Sequence, residues 1–250
     1  MPGWNAIDDE FDAWREAGRP VTFWWRDDDA RDITPELDRL LAIARGTDTP
    51  VALAVIPRDA RDQVVAWLAG QPLGCALVHG WGHDNHAPAD ERQNEFGPHR
   101  PRDAMLAELR RAVARVSAFA RHVPVLVAPW NRIDPDLVPA LPTAGVTGLS
   151  VLGPRPAREL VPGLINANVH VDIVDWQGTG GFVGTEVALA QVLAHLRQRR
   201  TGTVDASEPT GLMTHHLFHD EGCWHFVEEF VRRTRAHPAC RWLAAAEVFA

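Results

Sequence analysis

Residues 79–86 read HGWGHDNH and place His79, His83 and His86 within eight positions. His79 and His83 stand four apart, which puts two imidazoles on one side of a helical turn, a spacing used for zinc. The spacing alone is common by chance. Joined to a carboxylate from another strand, it gives a two-histidine, one-aspartate set with an open position for water. That is the composition of a hydrolytic metal site, with zinc the expected ion. His86 lies three residues on and is assigned to the substrate cleft. The carboxylate can come from "RDDDA", Arg26 to Ala30, which directly follows the apolar run "VTFWW". Three adjacent carboxylates repel one another unless a cation or an arginine compensates. Arg26 supplies part of that, and a divalent cation would supply more.

Other polar groups also fall where apolar runs end: "APWNR" (128–132), "DIVDW" (172–176) and "THH" (214–216). In a parallel barrel every strand opens its C-terminal end onto one face, and that face holds the site. His215 ends a strand and is the candidate acid. His216 faces the other way by strand alternation, and His219 in "LFHD" is a rival. Trp81, Trp130 and Trp176 can supply flat apolar walls, whereas Trp24 and Trp25 read as core. His99, His122, His195 and His237 read as surface residues. "WQGTGGFVG" (176–184) lacks the GxGxxG spacing of a dinucleotide loop and reads as a flexible loop over the active face.

Positioning these groups falls to short buried runs at 21–25, 51–56, 75–79, 123–128, 147–152, 170–174 and 211–215, read as strands. Helical patterns lie between them. "TPELDRLLAIAR" has Thr34 as N-cap and Pro35 at its first position. "RDAMLAELRRAVARVSAFARH" carries an apolar stripe of Met105, Leu109, Ala112, Val113, Val116 and Phe119. About seven strand–helix units with near-continuously apolar strands predict an α/β fold of parallel strands covered on both sides. A closed barrel competes with an open doubly wound sheet. The absence of a low-complexity linker predicts one domain over 1–250.

Composition narrows the function. The 250 residues carry a formal net charge of −8, which disfavours a nucleic-acid surface. Lys is absent, so Schiff-base lysine chemistry is out. Cys75, Cys223 and Cys240 form no CxxC pair and suggest no disulfide framework. No apolar stretch suits a membrane span, and the acidic N-terminus does not resemble a signal peptide, so a cytoplasmic location is expected.

The ordered set, strand–DD, HxxxH, Pro-aromatic turn, DxxDW, strand–His, resembles the polysaccharide deacetylase superfamily, carbohydrate esterase family four, in divergent form over residues about 20 to 220. The resemblance implies a distorted (β/α)7 barrel and a metal-dependent hydrolase acting on C–N bonds. Asp28 would be the general base and Asp29 the metal ligand beside His79 and His83. This choice among Asp27, Asp28 and Asp29 rests on Ala30 falling where the family has a small residue. Trp130, with Asn131 next to it, would serve the oxyanion. Asp175 would orient a charged partner, Trp176 would wall the pocket, and His215 would be the acid. Val127 stands where the family has an arginine that pairs with the base, and Arg26 or Arg132 is the candidate substitute. The expected substrate is a small molecule or oligosaccharide, an N-acetylated sugar or related amide. The alternatives are an esterase or non-sugar amidase, and an inactive glycan- or metabolite-binding barrel.

Overall fold

The computed structural model describes residues 3–250. Ten strands are β1 (Val21–Ala30), β2 (Val51–Val55), β3 (Gly74–His79), β4 (His122–Val127), β5 (Gly148–Ser150), β6 (Glu159–Val161), β7 (Leu164–Asn166), β8 (Val171–Asp172), β9 (Thr210–Thr214) and β10 (Cys240–Trp242). Helices are α1 (Trp4–Glu16), α2 (Pro35–Thr47), α3 (Asp62–Ala69), α4 (Arg102–Val116), α5 (Thr185–Thr201), α6 (Glu221–Ala236) and α7 (Ala245–Val248). The sheet order is β6-β7-β5-β4-β3-β2-β1-β9-β8, with β10 pairing the start of β1, and every pair is parallel except β6–β7. One run, residues 164–172, links the sheet's two ends. Its first part pairs with β5, and β8 pairs with β9. A bridge from Leu152 to Val169 continues that link. The sheet thus curls into a distorted barrel wrapped by helices.

Strand alternation explains the two apolar layers. Phe23 and Trp25 of β1, Val51, Leu53 and Val55 of β2, and Ala76 and Val78 of β3 face the helices. Trp24, Ala52, Ala54, Leu77, Val125, Val127 and Met213 face inward and meet Phe249 and Val248 from the C-terminal end. Each large apolar side chain so buried contributes about 1.5–3 kcal/mol. The inner cluster forms an apolar floor beneath the polar mouth.

The helices follow their sequence signals. Thr34 Oγ1 accepts from Leu37 N at 3.1 Å, and Pro35 opens α2. Asp220 caps α6 by accepting from Cys223 N at 2.8 Å. Two boundaries differ from expectation. The first strand runs through the three aspartates to Ala30, and α4 stops at Val116. Strands β6, β7 and β10 have three residues each, too few for a readable period. Among the described residues, no helix is long and apolar enough to cross a membrane.

Candidate active site

The alternation of β1 sorts the aspartates. Arg26 and Asp28 share the inward parity of Trp24. Asp27 takes the opposite parity and faces β9 and the turn after it. There Asp27 Oδ2 accepts from Thr214 Oγ1 at 2.6 Å and from His216 N at 3.1 Å, and Oδ1 pairs with His216 Nδ1. Asp27 and His216 are fully buried. Burial pushes the Asp27 carboxyl up, but the charge and hydrogen bond of His216 outweigh this and hold it low. Asp29 should by alternation follow Asp27. Its φ of +74° breaks the rule and turns it into the mouth, at a register shift between β1 and β2.

There it meets both histidines of the HxxxH pair. Asp29 Oδ1 lies 3.2 Å from His79 Nε2 and 3.6 Å from His83 Nε2. Ligand atoms of the three residues all fall within 4.8 Å of one another. His79 Nδ1 lies 3.0 Å from the Val127 carbonyl, which fixes the tautomer with the Nε2 lone pair toward Asp29. Burial lowers the His79 pKa, but the adjoining Asp29 and Asp28 carboxylates carry it above the ordinary value. His83 is held low by burial and by His79. Asp29 Oδ1 is buried and lacks a conventional hydrogen-bond donor among the described residues. A small divalent cation suits this donor set. Backbone strain gathers here as well. Of the non-glycine residues with positive φ among the described residues, Asp29, His83, Trp130 and Asn131 sit at this mouth, and Asp48 alone lies elsewhere, at the end of α2.

Beside that set, Asp28 is gripped by Arg26, with Nε to Oδ1 and Nη2 to Oδ2 both at 2.9 Å. Both side chains are almost completely buried. Arg26 also donates to Ser150 Oγ and to Asn131 Oδ1, each at 2.8 Å. Arg132 instead reaches Gln93 O at 3.0 Å. Of the two candidate arginines, it is therefore Arg26 that pairs with Asp28. His215 Nε2 lies 3.9 Å from Asp28 Oδ2. The Trp176 ring stands edge-on to His215 at 4.7 Å, and Trp176 Nε1 donates to Asp172 Oδ2 at 2.9 Å. The Trp130 ring packs 4.2 Å from His83.

Several expected roles do not fit this geometry. The carboxylate beside His215 and Trp176 is Asp172, at the end of β8. Asp175 turns its own carboxylate onto Thr179 N at 3.1 Å. That bond, with Phe182 N donating to Asp220 Oδ2 at 2.9 Å, makes the glycine-rich stretch a hydrogen-bonded turn rather than a free loop. Burial raises the Asp172 carboxyl above its usual range. Asn131 holds its amide oxygen on Arg26 and turns its amide nitrogen to Met213 Sδ at 3.6 Å, so its side chain braces the Arg26–Asp28 pair instead of facing an oxyanion. Trp81 packs on the core under the guanidinium of Arg111, 4.6 Å from its ring, and is no pocket wall. His86 is exposed, with its backbone N–H on Asn94 O at 3.0 Å. His219 packs edge-on against Trp224 at 4.4 Å and makes no hydrogen bond to Asp28.

Two features escaped the sequence. Glu95 is buried beneath the HGWGH turn and accepts from Trp81 N and Gly82 N. Burial raises its carboxyl. The second feature is a buried group of His170, His195 and Glu208, so His195 is not the surface residue its helix suggested. Its rings stack 3.4 Å apart at 11°. A cation about 2 Å from both nitrogens could not lie in two nearly parallel ring planes. Gly211 N also donates to His170 Nδ1 at 3.0 Å, which leaves the ring proton on Nε2, facing Glu208. The group is therefore a structural polar cluster rather than a metal site. It carries a pH signature. Burial, then the neighbouring His170 and Arg199, hold His195 down to about 2. An unfolded imidazole takes its proton near pH ~6.5 while the folded one stays neutral. Stability is thus full above that pH and falls below it by about 1.4 kcal/mol per unit. His195→Asn keeps a partner for Thr210 and is expected to remove about one proton from the slope between about pH 6 and pH 4. Urea titrations across that range check this, and an unchanged slope refutes it.

No protein-family model matches the chain, and no curated protein matches it in sequence. Solved structures do match. The curled parallel sheet and helical wrap are the fold of the polysaccharide deacetylases. More particularly, a Mycobacterium smegmatis protein assigned to that group is 18% identical over 92% of this chain and 88% of its own, with a TM-score of 0.65. A peptidoglycan N-acetylglucosamine deacetylase is 14% identical over 95% and 96%, with a TM-score of 0.57. A family 4 acetyl xylan esterase from Clostridium thermocellum, solved with a cobalt ion, is 13% identical over 91% and 90%, with a TM-score of 0.51.

Proposed function

We propose that this chain is a metal-dependent deacetylase that hydrolyses the acetyl amide of an N-acetylated sugar or a related small amide. One observation carries the proposal: Asp29, His79 and His83 converge beside an Arg26-bound Asp28 and His215. The ligand set would be Asp29, His79 and His83. A divalent ion held there supplies Lewis acidity toward a carbonyl oxygen and acidifies water. Asp28 takes the proton of the attacking water. Its ion pair with Arg26 fixes its orientation, the part that Val127 cannot play. His215, 3.9 Å from Asp28, gives its proton to the departing nitrogen. The Trp130 backbone N–H, in a left-handed turn beside His83, is the proposed oxyanion donor. Trp176 and Trp130 flank the reacting group.

The chemistry of the fold's relatives, one acting on an acetylated amino sugar and one on an acetyl ester, sets the substrates to try. Elemental analysis of the purified chain should give about one zinc or similar ion, and His79→Ala should bind far less. Equal metal content in the two proteins rejects the ligand set. An acetate-release screen over N-acetylated amino sugars, short glycans and acetate esters decides the rest. Release from esters alone selects an esterase. Metal binding with no release from any substrate selects a non-catalytic binding barrel.

A further inference from the structure

We propose that Glu95 is the positioning residue of the metal-ligand turn, an inference that rests on the metal-centre reading above. Residues 80–83 must reverse the chain directly after β3 so that His83 comes back over His79. The reversal uses positive φ at Gly80, +63°, and at His83, +58°. It also points two backbone N–H groups, of Trp81 and Gly82, to one side of the turn, away from ladder partners. A buried donor left unpaired costs about 1–3 kcal/mol. Glu95 Oε1 takes both, at 3.1 and 2.9 Å.

The same carboxyl shapes the turn by its bulk. A Cβ on residue 80 would run into Glu95 Oε2 and would come within 2.7 Å of Pro129 Cγ. Glycine is thus required there twice, by φ and by space. Glu95 is itself well anchored. Its carbonyl accepts from Arg100 Nη1 at 3.1 Å, and Arg100 pairs with Glu108 of α4 at 2.8 Å. Phe96, next in sequence, bridges to Ile133 and accepts from Asp134 N at 2.8 Å, just past the turn that carries Trp130. One side chain therefore ties the histidine turn to the framework on both flanks. Its oxygens hydrogen-bond the turn backbone and neither ligand histidine, so its effect passes through the turn that carries His83.

The test reads zinc affinity, by chelator competition, and backbone exchange of the metal-free protein. Glu95→Ala should weaken zinc binding about tenfold to a hundredfold, and should speed amide exchange at Trp81 and Gly82. Glu95→Gln keeps an oxygen for both donors, so it should hold affinity within about threefold and keep both amides protected. Gly80→Ala, which meets both the positive φ and Glu95 Oε2, should weaken zinc binding at least as much as Glu95→Ala. If Glu95→Ala folds poorly, amide exchange at Trp81 and Gly82 in Glu95→Gln decides, loss of protection there overturning the inference. The inference is overturned if Glu95→Ala binds zinc like the parent with both amides still protected, or if Gln and Ala lose equally. Should the parent itself bind no zinc, the metal-centre reading fails, and the exchange measurement still decides the role of Glu95.

Discussion

Asp28→Asn is expected to lower acetate release about 10²- to 10⁴-fold while the metal content stays at the parent level. The two halves of that expectation have separate physical causes. Asp28 is not part of the ligand cluster, whose atoms come from Asp29, His79 and His83. Removing its charge leaves those three in place. It does remove the carboxylate proposed to take a proton from water, and an amide cannot replace it. The variant also strips Arg26 of its counter-charge. A buried guanidinium without a carboxylate costs several kcal/mol, although Ser150 and Asn131 still accept from it. The assay therefore belongs well below the variant's melting temperature, with metal content measured on the same sample. Parent-like acetate release would remove Asp28 as the base. Lost metal would mean that Asp28, rather than Asp29, is a ligand.

The strands were legible in the sequence as short, near-continuous apolar runs, and the histidine pair by its spacing. Apolar runs of β-branched and aromatic residues mark β1 to β4, and Thr34-Pro35 marks the start of α2. The end of β1 was not legible, because "RDDD" has the composition of a turn. It is a strand only because each polar residue finds a partner the sequence does not display. Asp27 finds Thr214 and His216, and Arg26 finds Asp28, Ser150 and Asn131. The choice between Asp172 and Asp175 needed a hydrogen bond from Trp176, which motif matching cannot see. Glu95 sits at no regular spacing from the histidines, and only its two backbone donors reveal it. His195 was misjudged because α5 buries polar residues, His195 and Arg199, against Thr210 and Thr22 of the neighbouring strands. An apolar stripe is the signal of a buried face, and a polar buried face gives none.

His216→Ala should cost about 3–5 kcal/mol of stability, because it leaves the Asp27 carboxylate buried without its charged partner. For a chain of this size about 1 kcal/mol moves the melting midpoint by about 2–4 °C, so a fall of about 6–20 °C is expected. Thr214 Oγ1 and the backbone of residue 216 still donate to Asp27, which places the result below the full penalty of a bare buried charge. His216→Asn separates the two components of the pair. Its amide nitrogen can stand where Nδ1 stands, restoring the hydrogen bond but not the charge, and it should recover part of the lost stability. The metal ligands and His215 are untouched in both variants, so below the melting range His216→Asn should bind metal and release acetate close to the parent rate. Abolished activity with intact metal binding would instead make His216 the acid and unseat His215. A melting point unchanged in His216→Ala would show that Asp27 draws nothing from the pairing, and the division of the three aspartates by strand alternation would lose its energetic basis.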